Sequence, residues 1–386
     1  MPKVSGFTEA NVPDQRGKCF IVTGANTGLG FEASRVLAAR GARVLLACRD
    51  KGKAEIAMAQ IRQATPRADL AFLPLDQADL ASVRTAAELA AKEPRIDVLV
   101  NNAGVMTPPL MRTKQGFELQ FGVNHLGTFA LTALLLPKLA ETKGARVVVT
   151  SSSVHRNGKF DWDDLNAEKS YSRFGRYSAS KLANALFFFE LDRRLRAAGS
   201  PVTALGCHPG AAATDLGRYM GALQLLLPLA RVFLNTAAMG AWPTLQAATG
   251  PVTPGGYYGP TGFREIRGVS GEASRSSEAQ DPAVAQRLWD VSVAMTGIDP
   301  GLPAVTSSFP AISDATTMPR WSIRLRSNML TILSSSRPTA IDCTPRWIRK
   351  RRLRTSSALR SAAAAPLSFP PLPSGAHKAC SIISIA

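Results

Sequence analysis

From Lys18 to about Ile298, short runs of β-branched and apolar residues alternate with longer stretches rich in Ala and Leu. That alternation is the pattern of repeated strand–helix–strand units. The strand-like runs are 19–23, 43–47, 71–74, 98–100, 146–150 and 202–207. Helix-like stretches fall between and after them, at 31–40, 51–64, 80–93, 117–139 and 178–198. Val-Leu-Val (98–100) and Val-Val-Val-Thr (147–150) are apolar in succession instead of alternating with polar residues. Strands of that kind are covered on both faces. The pattern therefore predicts an α/β fold, a doubly wound parallel sheet with right-handed crossovers and helices on both faces.

The pattern stops near Pro300. Residues 301–386 are rich in Ser, Pro, Arg and Ala, include Arg-Lys-Arg-Arg-Leu-Arg (349–354) and hold no sustained period. The expected organisation is an N-terminal arm over 1–11, one domain over 12–300 and a basic tail over 301–386, low in complexity and disordered. A sharper reading of the tail is an out-of-frame or read-through extension; the alternative is a basic arm for an anionic membrane or nucleic acid.

The chain has 386 residues, 45% of them hydrophobic and 19% charged, as in a soluble globular protein. Its net charge of +18 suggests nucleic acid at first sight. Twelve basic and two acidic residues lie in the tail, however, so ten of those eighteen charges belong there and the domain is only modestly basic. Specific nucleic-acid binding is not expected of the domain. The five cysteines are scattered, without a Cys-x-x-Cys or Cys/His cluster, which argues against a disulfide framework or a zinc site and fits a reducing compartment. The N-terminus lacks an apolar signal core, so a cytoplasmic location is expected.

Three groups of residues carry chemistry. The first strand runs into Thr-Gly-Ala-Asn-Thr-Gly-Leu-Gly (23–30), and a helix begins just beyond. Gly24, Gly28 and Gly30 let the backbone turn sharply and approach a pyrophosphate, while Asn26, Thr27 and Leu29 complete the turn at a helix N-terminus. At the end of the second strand stands Arg49, with Lys51 and Lys53 close by and Asp50 between. A basic residue there accommodates the 2′-phosphate of NADP, where NAD sites place an acid. The expected cofactor is NADP(H), with NAD(H) as the alternative. Last comes Tyr177-Ser-Ala-Ser-Lys181. A phenol titrating near pH 10 is a poor acid or base at neutral pH, and an ammonium four residues on along a helix stabilises its phenolate.

Between these groups lie Leu-Asp-Gln-Ala-Asp-Leu (75–80), Val-Leu-Val-Asn-Asn-Ala-Gly (98–104), Gly-Val-Asn-His-Leu-Gly-Thr-Phe (122–129) and Val-Val-Val-Thr-Ser-Ser-Ser-Val-His (147–155). Cys-His-Pro-Gly-Ala-Ala-Ala-Thr-Asp-Leu (207–216) follows. With these motifs in order, the sequence over roughly 12–298 resembles the short-chain dehydrogenase/reductase family. Asn-His-Leu-Gly, Tyr-Ser-Ala-Ser-Lys-Leu-Ala-Asn and Gly-Tyr-Tyr-Gly-Pro-Thr-Gly (256–262) make it most similar to the retinol dehydrogenase and WW-domain oxidoreductase branch.

The resemblance implies a catalytic set of Asn124, Ser152, Tyr177 and Lys181, with Ser152 chosen from the adjacent Ser151, Ser152 and Ser153. It implies cofactor contacts at Gly24, Asn26, Leu29, Arg49, Asp76, Asn102, Ala103, Gly104, Tyr177, Lys181, Pro209 and Thr214. Asp76 would meet the adenine, Asn102 the ribose, and Pro209 and Thr214 the nicotinamide end; Asp76 and Thr214 also read as capping residues. Asn124 would hold a water that links Lys181 to solvent.

No metal is expected, and structural hydrogen bonds are expected of His125, His155 and His208. Residues 211–255 take the place of the variable substrate loop. Their apolar run 221–234 is too short and interrupted to span a bilayer, and suits a lipophilic substrate, a peripheral membrane contact or self-association. The activity implied is hydride transfer between nicotinamide and a lipophilic alcohol or carbonyl: retinoid-like, steroid-like or a long-chain aldehyde. The alternatives are a tetrapyrrole double-bond reductase of the same family and a dinucleotide-binding scaffold without turnover.

Overall fold

A computed structural model of the chain describes residues 6–211 and 235–305. The described residues all belong to one unit. Thr214, the apolar run 221–234 and the tail from 306 onward lie outside the described residues.

Eight strands form one sheet: β1 Cys19–Thr23, β2 Arg43–Cys48, β3 Asp69–Pro74, β4 Val98–Asn101, β5 Arg146–Thr150, β6 Thr203–Cys207, β7 Tyr257–Pro260 and β8 Ser270–Glu272. Their order is β3-β2-β1-β4-β5-β6-β7-β8. All pairings are parallel except the last, β7 with β8. The doubly wound parallel fold expected from the apolar runs is present.

The helices are α1 Gly28–Ala39, α2 Lys51–Ala64, α3 Leu80–Ala90, α4 Leu119–Ala140, α5 Arg173–Ala197, α6 Ala237–Thr249 and α7 Pro282–Thr296. Successive strand residues point to opposite faces, and here both faces are buried. Phe20, Val22, Val44, Leu46, Val100, Val148 and Leu205 pack with Leu37 of α1, Ile61 of α2 and Leu245 of α6. Their neighbours Ile21, Leu45, Leu99, Val147, Val149 and Ala204 pack with Val83 of α3, Phe129 of α4, Leu186 of α5 and Trp289 of α7. Each fully buried Leu, Val or Phe contributes about 2 kcal/mol relative to exposure. Helix α4 is long and apolar enough to cross a membrane, but 83% of its most apolar window is buried inside the fold. It is a core helix of this sheet.

Two boundaries differ from expectation in ways that matter for the site. Helix α5 does not open at the Tyr-Lys pair: it starts at Arg173, where the Ser172 hydroxyl caps it by accepting from the Gly175 N–H at 3.2 Å. Tyr177 and Lys181 therefore lie one and two turns inside a rigid helix. Helix α4 contains a widened π turn over Gly122–Leu126, closed by Gly127 N–H donating to Gly122 O. Such turns recur at functional sites. At the N-terminus, Phe7 is buried and exchanges backbone hydrogen bonds with Ser270 at 2.7 and 2.9 Å, pairing that one residue with the sheet edge.

Candidate active site

In a sheet of this order the strand direction reverses its winding between β1 and β4, and ligands bind outside the carboxyl ends of the strands there. Every described residue singled out from the sequence lies at that end or on the helices behind it. Gly24–Gly30 follow β1, Arg49 follows β2, Asp76 follows β3, Asn102–Gly104 follow β4, Ser152 follows β5 and Pro209 follows β6.

The turn after β1 is built by glycine. Gly24 and Gly28 take φ of +65° and +58°, a region side chains disfavour. A Cβ on Gly30 would overlap the Gly24 carbonyl and the Asn102 amide, so α1 can seat this close to β1 only without one. No acidic side chain occupies the first turn of α1, whose N–H groups have no intrahelical partners. Such a shaped, electropositive cradle fits a dinucleotide pyrophosphate. Asn102 braces it: its backbone N–H donates to Thr23 Oγ1 and its Nδ2 to Thr23 O, both at 2.9 Å, and Ala103 N–H also donates to Thr23 Oγ1.

At the end of β2, Arg49 is exposed. Asp50, which clouded the charge pattern in the sequence, is occupied as the cap of α2, accepting from the Lys53 N–H at 3.0 Å. Asp76 makes a local turn, its carboxylate accepting from the Ala78 N–H at 2.9 Å while its own N–H donates to Ser82 Oγ.

On the other side of Gly104 stands the second group. A Cβ on Gly104 would lie 3.1 Å from Asn124 Oδ1 and 3.5 Å from Lys181 Nζ. The same segment touches the glycine turn, since a Cβ on Gly24 would sit 3.1 Å from Ala103 Cα. Residues 102–104 thus separate the cradle from Lys181 by the width of one backbone segment. Lys181 is 3% exposed and donates to Thr150 O at 3.2 Å; its Nζ lies 5.9 Å from the centre of the Tyr177 ring. Ser151 and Ser152 have separate partners. Ser151 Oγ donates to Lys181 O at 2.7 Å and ties β5 to α5, whereas the Ser152 hydroxyl accepts from the Val154 N–H at 3.4 Å and lies near enough to the Tyr177 phenol to favour its charged form.

The electrostatics depart from the simplest expectation, in which the lysine alone sets the phenol. Burial pushes the Tyr177 phenol up to about 12, with the nearby Ser152 hydroxyl pulling it back. Burial also brings Lys181 down to about 8, partly opposed by the Cys207 thiolate form. Through neutral pH the phenol therefore keeps its proton.

Asn124 sits in the π turn with its side chain fully engaged. Oδ1 accepts from the Val105 N–H at 2.7 Å, and Nδ2 donates to Val105 O and Ser180 Oγ, both at 2.9 Å. Its amide clamps the loop after β4. Pro209 O accepts from Asn235 Nδ2 at 3.0 Å.

The family model for short chain dehydrogenases matches residues 18–223. Retinol dehydrogenase 14 of Homo sapiens is 40% identical over 323 residues, 77% of this chain and 92% of that one. The chain belongs to the short chain dehydrogenase family. It is an oxidoreductase of the retinol dehydrogenase branch: retinol dehydrogenase 12 of Homo sapiens is 43% identical over 285 residues, 73% of this chain and 87% of that one. Among solved structures, an uncharacterized protein from Mycobacterium Paratuberculosis covers 76% of this chain and 99% of its own, at 40% identity and a TM-score of 0.65. A short chain dehydrogenase from Shigella flexneri 2a str. 301, complexed with NADP, covers 62% and 94% at 25% identity and a TM-score of 0.50.

Several residues of this short chain dehydrogenase site escape sequence reasoning. Thr23, Ser151 and Ser180 act through hydrogen bonds to partners 30 to 80 residues away, Thr23 through three of them. His155 donates Nδ1–H to Ser152 O at 2.6 Å and accepts from the Ser276 N–H at 3.2 Å, which fixes its neutral tautomer. His125 meets Ser292 Oγ at 2.7 Å inside the core, so His155 and His125 make the structural hydrogen bonds expected of them from the sequence.

Proposed function

We propose that this protein transfers a hydride between NADP(H) and a lipophilic alcohol or carbonyl, with Tyr177, Lys181, Ser152 and Asn124 as its site. The observation that carries the reading is that Lys181, buried beside the Tyr177 ring on α5, lies within one backbone segment of the glycine cradle. Support for NADP(H) comes from Arg49 at the end of β2 and from the capping role of Asp50. The short chain dehydrogenase of Shigella flexneri, solved with NADP, adds to it. Support for a retinoid-like substrate comes from relatives named retinol dehydrogenases at 40–43% identity.

Residues 102–104 and Pro209 would help hold the cofactor, whose nicotinamide would supply or accept the hydride. Ser152 donates a hydrogen bond to the substrate oxygen and stabilises the charge that develops there. Tyr177 gives that oxygen its proton in reduction and takes it in oxidation. With its phenol held up to about 12, Tyr177 carries its proton at neutral pH, which suits reduction. Lys181 lies close enough to stabilise the phenolate when its own amine, near 8, is protonated. Asn124 keeps the loop after β4 in place beside Lys181.

The test is NADPH and NADH oxidation over a panel of retinaldehyde, steroid ketones and long-chain aldehydes. Turnover with NADPH on an apolar member is expected. Preference for NADH, or no turnover across the panel, would reject the reading.

A further inference from the structure

Between β7 and β8 the chain makes a turn in which Arg264 and Glu265 both take left-handed φ, 51° and 57°. Neither is glycine, and such positions cost about 1–3 kcal/mol each and persist only where the surroundings hold them. Around Glu265 the surroundings are three separate segments. Its Oε2 accepts from Arg156 Nη2 and lies 3.1 Å from His208 Nε2, while its Oε1 accepts from the Ser274 N–H at 2.9 Å. His208 Nδ1 accepts from the Gly210 N–H at 3.2 Å, so the ring proton sits on Nε2 and is donated to Glu265. Burial disfavours the charged carboxylate, but the bonds from His208, Ser274 and Arg156 more than offset it and hold Glu265 well below its ordinary range.

Each arm of this hub ends at the catalytic rim. Arg156 lies in the short helical turn Ser153–Asn157, which Ser152 caps, and also donates to Ser274 O at 2.9 Å. His155, one residue earlier, joins Ser152 O to the Ser276 N–H. The segment 274–276 therefore grips the serine turn at two points. His208 precedes Pro209, and Ala211 N–H donates to Ile266 O at 3.0 Å, beside Glu265 itself.

We propose that Glu265 is a positioning residue: through Arg156 and His208 its carboxylate fixes the Ser152 turn against the segment 208–211 and so sets where the Ser152 hydroxyl meets the reacting oxygen. The proposal rests on the role given to Ser152 above. An ion cluster of purely structural value would change stability and leave the contribution of Ser152 to turnover untouched.

Glu265→Gln keeps the length and an acceptor for the Ser274 N–H while removing the charge. Its kcat is measured with NADPH and retinaldehyde or decanal, whichever turns over faster, in the wild-type and Ser152→Ala backgrounds. Alone it is expected to lower kcat about tenfold, the scale of a sub-ångström misplacement, with KM for NADPH within about twofold. On top of Ser152→Ala it is expected to change kcat by less than about twofold, because the two act as one unit. An equal fall in both backgrounds, or no fall in either, overturns the inference while leaving Ser152 in its role. If Ser152→Ala itself leaves kcat intact, the underlying site reading fails and the inference falls with it. Should Glu265→Gln not fold, Arg156→Gln takes its place under the same outcomes, since that guanidinium is one-third exposed.

Discussion

The two halves of the sheet build their ends in opposite ways. At β1–β3 the functional surface is backbone shape: a glycine turn, a helix N-terminus and an exposed Arg49. At β4–β6 it is a buried polar network, with Asn124, Ser151, Tyr177 and Lys181 all under a tenth exposed and the polar heads of Asn124, Ser151 and Lys181 tied across segments. A shape is tolerant of its neighbours but intolerant of added atoms. A buried network tolerates little of either, because an orphaned polar group in low dielectric costs more than its bond was worth.

The sharpest break of this comparison is Tyr177→Phe. Loss of the phenolic proton beside Ser152 is expected to lower kcat about a thousandfold, as for removal of a general acid. NADPH affinity, held mainly by the other half, should stay within about threefold; this is checked by fluorescence titration of the purified variant. A comparable loss of both would merge the two regions into one functional unit.

Gly30→Ala probes the opposite side. The added Cβ would overlap Gly24 O and Asn102 Nδ2, and neither the backbone carbonyl nor the braced amide has room to yield. Overpacking of this kind is expected to cost about 1–3 kcal/mol in denaturant unfolding and to weaken NADPH in parallel, with kcat at saturation largely retained. Full stability would mean that α1 shifts freely on β1.

Arg49→Asp should have a smaller effect. It replaces an exposed cation by an anion where Asp50 is already committed to capping, so NADPH is expected to weaken about tenfold relative to NADH. An unchanged ratio of kcat/KM for the two cofactors would remove Arg49 from the site.

The same contrast explains what could be read in the sequence. Strands β1 and β5 were legible to the residue because both faces are buried and the runs are apolar through their centres. Strands β7 and β8 were not, since Tyr257–Pro260 and Ser270–Glu272 are short, carry Gly and Pro, and exist through pairing with distant segments. The glycine cradle and the Tyr-Lys pair are contiguous motifs and stood out. The start of α5 did not, because Ser172 caps it in a polar stretch without periodicity. Nor could the bracing by Thr23 and Ser180 be seen, for their partners Asn102, Ala103 and Asn124 are near only in the folded chain.

The smallest expected effect is on acid stability, and it too divides the halves. All the described histidines, His125, His155 and His208, follow β4; the nucleotide-side half has none. Burial among Phe121, Phe129 and Phe187 lowers His125 to about 3, and burial lowers His155 to about 4. The unfolded chain binds these protons near the ordinary 6.5, whereas the folded chain does not, so stability falls as pH drops from 6.5 towards 3. For His125 the loss is about 1 kcal/mol over the unit from pH 6 to pH 5. His125→Gln keeps a donor for Ser292 Oγ and cannot take up the proton, so its urea midpoint should change less across that unit than the wild type's. Hydrogen exchange at pH 5 should show α4 and α5 losing protection before α1 and α2. An unaltered pH slope in the variant, or first opening at α1, would show that the acid sensitivity is not seated in the buried half.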